Sequence, residues 1–246
     1  MKYYSIQNSL NKKVLGHYPQ VKDVIYNCHV SNDPLFIDRF YFEKINVKPI
    51  VANPILYTKS KNTDLILTLS AMGFSFTQLI SGKLKSILEK NKKTGIQFIQ
   101  CSVYKGKQEY KDYWLLNPFQ FNQEYIDFKK STIIYEKQSE DYNTTFKVDK
   151  IHLDIKNLSD FIKYIELAKV KAEMLLIEKL SLADNINDDF FILKHVSDGM
   201  FFVSEKLKKE IEISECTGIE FKPIELSYNE WSAPNGEREK IYGKTY

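Results

Sequence analysis

Residues 81–98, SGKLKSILEKNKKTGIQF, and residues 204–221, SEKLKKEIEISECTGIEF, align without a gap, and nine of their eighteen positions are identical. About one identity is expected by chance, so the chain carries one element twice. This constrains the fold strongly, because what the first copy builds the second must build too. Two copies fall short of a solenoid, which needs about three stacked repeats. They fit two related halves packed together.

Each copy reads as helix, turn, strand. Ser81 and Ser204 are good N-caps, since a serine oxygen accepts from an orphan amide of the first turn. Neither has Glu or Gln three residues on, so no full capping box is expected. Leu84, Ile87 and Leu88 share one helical face, as do Leu207 and Ile211, where Glu210 interrupts the stripe. Gly95 and Gly218 each follow a Thr and break the helix at a positive φ. Ile96-Gln97-Phe98 and Ile219-Glu220-Phe221 then alternate as a strand does. Apolar runs precede both copies: 65–69 before the first, 190–193 and 199–203 before the second. The repeated unit is therefore strand, loop, helix, strand.

With 246 residues the chain can bury a real core. Its 16 Tyr and 16 Phe favour strands. Net charge is only +3, which gives no bulk argument for nucleic acid. The charge is uneven, +8 over residues 1–125 and −5 over residues 126–246. Cys28, Cys101 and Cys216 are far apart and form no CxxC, so neither a zinc site nor a disulfide framework is indicated. No apolar stretch of signal-peptide length opens the chain, and no run of about eighteen apolar residues exists. A cytoplasmic protein without a membrane span is expected. The 143–145 glycosylation sequon carries no weight without a secretion signal.

Elsewhere the pattern predicts an opening strand at 3–6, another at 24–30, a strand at 113–117 ending at Asn117-Pro118, and one at 131–135. Trp114 reads as core. Asn117 and Asp127 read as turn residues bonding their own backbone. Phe161, Ile165, Ala168, Ala172 and Leu175 recur at helical spacing, with Ile162, Leu176 and Leu180 widening the stripe, and predict one long helix over 159–181. Residues 184–189 form a polar linker without the calcium-loop pattern. The tail beyond residue 228 is either mobile or held by Trp231.

No catalytic motif emerges. A P-loop, GxGxxG, GxSxG and HExxH are all missing. Four scattered histidines make no visible dyad. Cys28 and His29 are adjacent, so on a strand they would face opposite ways. Neither a catalytic residue, nor a metal site, nor a cofactor is expected.

Three groups of residues carry a family resemblance. Asp64 leads into the serine-capped helix and strand of 81–98. Tyr113–Pro118, YWLLNP, precedes Ile126-Asp127 and Ser131. Residues 202–223 read F-V-S-E-x-L…T-G-I-x-F-x-P. Together they cover roughly residues 60 to 226. In these the chain resembles bacterial polymorphic-toxin immunity proteins, immunity family eleven, formerly a domain of unknown function. The resemblance implies a cytoplasmic, non-enzymatic protein of interbacterial competition. Such a protein binds and neutralises a cognate toxin domain, usually one encoded nearby. It makes Ser81, Gly95, Trp114, Asn117, Asp127, Ser204 and Gly218 family-motif residues, read here as caps, turns and core.

The expected fold is α+β, with two related strand–helix–strand units, mostly antiparallel sheet and one long additional helix. The halves 1–108 and 109–246 hold one copy each and can pack as one domain. For the partner surface, Glu205, Glu210, Glu212 and Glu215 of the second copy stand where the first has Gly82, Ile87, Glu89 and Lys92. They mark an acidic edge that would meet a basic toxin surface. The competing reading is a solvated helix, with Lys206, Lys208 and Lys209 pairing locally. A nucleic-acid or regulatory binding module using Lys83, Lys85, Lys90, Lys92 and Lys93 is the alternative function. A hydrolytic enzyme with a spatially assembled site is the third.

Overall fold

The computed structural model of the chain describes residues 1–68, 72, 77–138, 148–197 and 199–245. The 143–145 sequon lies outside them. The chain opens with β1 (Tyr3–Asn8), α1 (Lys12–Leu15), β2 (Val21–Ile25) and β3 (Asn53–Leu56). The first repeated unit follows as β4 (Leu65–Ile66), β5 (Gln78–Ser81), α2 (Gly82–Asn91) and β6 (Ile96–Gln100). Next come β7 (Val103–Lys105), β8 (Gln108–Tyr110), β9 (Tyr113–Pro118), β10 (Thr132–Gln138), β11 (Val148–Leu153), α3 (Leu158–Val170) and β12 (Met174–Lys179). The second unit is β13 (Phe190–Ile192), β14 (Phe201–Ser204), α4 (Glu205–Ile213) and β15 (Ile219–Pro223). Two short helices close the chain, α5 (Tyr228–Ser232) and α6 (Glu237–Tyr242).

The class is α+β, and among the strands named here the pairing is antiparallel except between β3 and β7; the isolated bridges Phe36–Ile50 and Ile177–Val196 are also parallel. Two of the sheets repeat one plan: β4-β5-β9-β6 and β13-β14-β1-β15. Registers match as well. The capping Ser81 faces Tyr113 as Ser204 faces Tyr3, and Phe98 faces Leu116 as Phe221 faces Ile6. The third strand has a different origin in each. In the first sheet it is β9, which follows β6 in the chain. In the second it is β1, the opening strand, so hydrogen bonds run from residues 3–8 to residues 202–204 and 219–223.

Runs of consecutive apolar residues work because both faces of these sheets are buried. Along β14, Phe201 and Val203 enter one core and Phe202 the other. In β5, Ile80 faces the core shared by the two units, while Leu79 faces the core under β2-β3-β7-β8. The shared core also takes Leu84 and Leu88 of α2 and Leu207 and Ile211 of α4. A third core lies between Phe191, Phe202 and the β11-β10-β12 sheet with α3.

Local signals act as expected. Ser81 accepts from the Leu84 amide and Ser204 from the Leu207 amide. Gly95 and Gly218 sit at φ 81° and 83°. Three readings are corrected. The helix expected over 159–181 stops at Val170: the Glu173 amide turns back to the Ala168 carbonyl and Ala172 adopts φ 54°. Leu175 and Leu176 then belong to β12, whose burial alternates and which pairs with β10. Strand 24–30 is displaced to Val21–Ile25. Asn117 is a buried strand residue, not a turn, and its amide donates to the Glu43 carbonyl. The tail is held: Trp231 is buried and stands edge-on to Tyr242.

Candidate partner-binding surface

Around each capping serine the fold places an aspartate and a lysine. Asp64 accepts from the Ser81 hydroxyl at 2.6 Å, and Asp189 from the Ser204 hydroxyl at 2.5 Å. The same two aspartates accept the Ser81 and Ser204 amides through their own carbonyls. Lys83 lies 3.3 Å from the Asp64 carboxylate and Lys206 2.5 Å from that of Asp189. Each latch ties the start of a helix to the residue ahead of its unit's first strand. Asp189 is partly desolvated, which alone would raise its pKa, but the hydrogen bonds from Lys206 and Ser204 win and hold it low. The repeat alignment does not reach Asp189. An Asp 17 and 15 residues before the two capping serines was the available signal.

One turn on, Lys85 lies over the rings of Phe98 and Trp114, and Lys208 over those of Tyr4 and Phe221. Each also pairs with a glutamate at i+4, Glu89 or Glu212, at 2.8 Å. Trp114 is half-buried: it packs against the shared core and also offers Lys85 a stacking platform.

Helices α2 and α4 meet side by side. Lys90 reaches Glu210 at 3.1 Å, and the Lys83 ammonium donates to the Glu215 carbonyl. Asp64 crosses between units, accepting from the amide and hydroxyl of Thr217 at 2.8 and 3.2 Å. Of the acidic edge, Glu205 pairs with Lys209, Glu210 with Lys90, and Glu212 with Lys208. The residue most open to a partner among them is apolar: Ile213, 82% exposed, stands between the exposed Glu212 and Glu215. Of the basic set, Lys83, Lys85 and Lys90 are similarly engaged. Lys92 is half-buried beside Asn122 with its pKa lowered by desolvation, and Lys93 is exposed. Asp127 binds its own turn, accepting from the amides of Lys129 and Lys130.

The outer face of each unit is closed by another segment. Gln97 of β6 exchanges two hydrogen bonds with the Ile45 backbone, at 2.7 and 2.8 Å. At the equivalent place in β15, Glu220 accepts from Arg238 of α6 at 2.7 Å, from the Ser9 hydroxyl at 3.0 Å and from the Leu10 amide at 2.9 Å. Glu220 and Arg238 are 1% and 2% exposed.

The histidines are dispersed. His17 stacks on Tyr57, His29 contacts Ser31, His152 is on β11, and His195 lies beside the Phe161 ring. Among the described residues no three His, Cys, Asp or Glu side chains are grouped to hold a metal ion, and no helix is long and apolar enough to cross a membrane. Cys101 is buried, and desolvation pushes its thiol up to about 12, so it is not primed as a nucleophile.

The model of an immunity protein family (Imm11) matches residues 2–226, nearly the whole chain. Helices α5 and α6 lie beyond the match. A search of curated proteins finds no match.

Proposed function

Because the chain belongs to the Imm11 immunity protein family, we propose that it protects its cell by binding a cognate toxin domain directly and blocking it. The family match along residues 2–226 carries this reading. The fold supports it: two latched units packed through a common core make a rigid support, and a rigid surface loses little entropy on binding. In this reading the protein acts as a stoichiometric inhibitor in the cytoplasm, without catalysis. The toxin is encoded nearby and belongs to a polymorphic toxin system. The two units descend from one duplicated element, as their shared latches suggest.

The contact surface we assign to the toxin is the α4 edge of Glu205, Glu210, Glu212 and Glu215, centred on Ile213. An exposed apolar side chain ringed by acids suits a basic partner with an apolar notch. A stable complex needs about 800 Å² from each side, so the contact would extend onto the neighbouring end of α2. Glu215, exposed and outside the ion pairs of this edge, is the acid freest to steer a basic partner.

The test is co-expression with the neighbouring gene product, followed by purification of the tagged protein. Rescue of growth together with a one-to-one complex is expected. An untouched toxicity and no complex would overturn the immunity reading. Within a complex, Ile213→Asp and the pair Glu212→Lys, Glu215→Lys should each weaken affinity at least about tenfold. Unchanged affinity would move the interface elsewhere and leave immunity standing.

A further inference from the structure

Strand β6 ends its sheet, as β15 ends the equivalent one. The Phe119 amide donates to the Gly95 carbonyl and the Cys101 amide to the Tyr113 carbonyl, so the odd-numbered residues of β6 bond toward β9. Antiparallel pairs alternate, and the N–H and C=O groups of Ile96, Phe98 and Gln100 therefore point away from the sheet. None of these groups meets a protein partner among the described residues. In β15 the same alternation turns the Phe221 amide outward, and there the Tyr242 hydroxyl of α6 accepts from it at 2.9 Å. Phe98 and Phe221 hold the same place in the repeat. The first four residues of β15 are buried, whereas those of β6 are half-buried and Gln100 is exposed. Both units have a closed outer face, but among the described residues only the second has this edge covered.

The open edge lies in a groove of about 710 Å³. One wall is apolar and consists of Ile45, Val47 and Pro49, with Val47 50% exposed. The other wall is α2 and the turn after it, and it is basic. There Lys85 pairs with Glu89, the Lys92 ammonium donates to the neutral Asn122 side chain at 3.5 Å, and Lys93 is exposed and in no ion pair among the described residues. Lys44 and Lys48, also exposed, flank the apolar wall. The strand itself alternates between the two walls. Ile96 and Phe98 turn to the α2 side with the shared core, and Ile99 turns to the side of Ile45.

We infer that the β6 edge takes an extended acidic segment of a partner protein as an added antiparallel strand. An open edge is a template for such pairing. Main-chain hydrogen bonds to Ile96, Phe98 and Gln100 hold the segment, and its alternate side chains decide which segment fits. The residues opposite Ile96, Phe98 and Gln100 bond to β6 and face α2, so acids at those positions meet the basic wall. The residues between them face Ile45, Val47 and Pro49, so they are apolar. Charge favours this occupant over a second copy, because pairing two β6 edges would bring two basic walls together. The site is separate from the α4 edge and does not depend on toxin binding.

The test is fluorescence anisotropy with the full chain and the labelled peptide Val-Asp-Val-Glu-Val-Asp-Val. It should bind at least about tenfold more tightly than Val-Lys-Val-Lys-Val-Lys-Val. Methylating the backbone amides of its acidic residues should abolish binding, and methylating those of the valines between them should be tolerated, because only the former face β6. Gln100→Pro removes one outward N–H at an exposed position and gives up the side-chain bond to the Lys111 carbonyl. It should weaken binding at least about fivefold, and Lys93→Glu should do the same. A thermal scan checks that each variant folds. No peptide binding at millimolar concentration, equal binding of the lysine peptide, or indifference to which amides are methylated would overturn the proposal. A concentration-dependent dimer that Gln100→Pro abolishes, with no peptide binding, would also overturn it and assign the edge to a second copy.

Discussion

In the first unit Gln97 holds the backbone of Ile45, a residue that comes earlier in the chain. In the second, Glu220 at the same sheet position holds the guanidinium of Arg238, a residue that comes later. The chemistry of each partner explains the exchange. An extended backbone offers one donor and one acceptor, and a carboxamide matches both. A guanidinium only donates, so it needs a carboxylate. The two units thus share caps, latches and lysine–aromatic stacks, yet their outer faces differ to suit different covers. The first cover lies inside the family match and the second beyond it.

The sharpest way to break the comparison is to remove each cover's anchor. Arg238→Ala strands the buried Glu220 charge and should destabilise the fold by about 3–5 kcal/mol. Gln97→Ala gives up neutral hydrogen bonds and should cost about 1–3 kcal/mol. Urea unfolding midpoints check both, and equal losses would contradict the stated difference. Adding Glu220→Gln to Arg238→Ala should recover part of the loss, because the stranded charge is gone.

The two turn glycines come next. Both have positive φ, so Ala costs about 1–2 kcal/mol at either through backbone strain. A Cβ at Gly218 would also meet the Leu65 carbonyl oxygen at 2.2 Å, whereas at Gly95 the nearest atom is Gln120 Cβ at 2.9 Å, a milder overlap. Gly218→Ala should therefore lower the melting temperature clearly more than Gly95→Ala. The caps should differ less. Ser81→Ala and Ser204→Ala should each cost about 1–2 kcal/mol in the same measurement, with the fully buried Ser204 at the upper end.

The smallest effect is in acid. Asp189 is held below its ordinary pKa in the folded protein. Its contribution is therefore complete above the ordinary carboxylate range, near pH 4, and is lost as pH falls through the folded-state value. Asp189→Asn should flatten the fall in stability over that acid window and leave the slope between pH 6 and 8 unchanged. An unaltered acid slope would show that the latch adds no pH-linked stability.

The parts of this arrangement that were legible in the sequence are those made by neighbours. Ser81 and Ser204 cap the amides three residues on, and Gly95 and Gly218 close their own helices. The long apolar stripe after Ser159 misled, because Met174-Leu175-Leu176-Ile177 is apolar at four consecutive positions and shows no period of two, although the burial of β12 alternates. Leu175, Leu176 and Leu180 continued the helical count across a break set by Ala172 and the Glu173 amide. Asn117 looked like a turn residue because Pro118 follows it, and only its partner Glu43 shows that it is buried strand. The acidic edge was legible as composition, but not the pairing of Glu210 with Lys90 on the other helix.

The sequence alone determined the two strand–helix–strand units, their caps and their turns, since each depends on contacts within a few residues. The tertiary structure decided which strand completes each sheet, since β9 and β1 come from opposite sides of their units in the chain and share little beyond the leading Tyr113 and Tyr3. It also decided that Arg238 and Glu220 share one buried site. Hydrogen bonds and ion pairs act over about 3 Å in space and carry no trace of how far apart their partners lie in the chain.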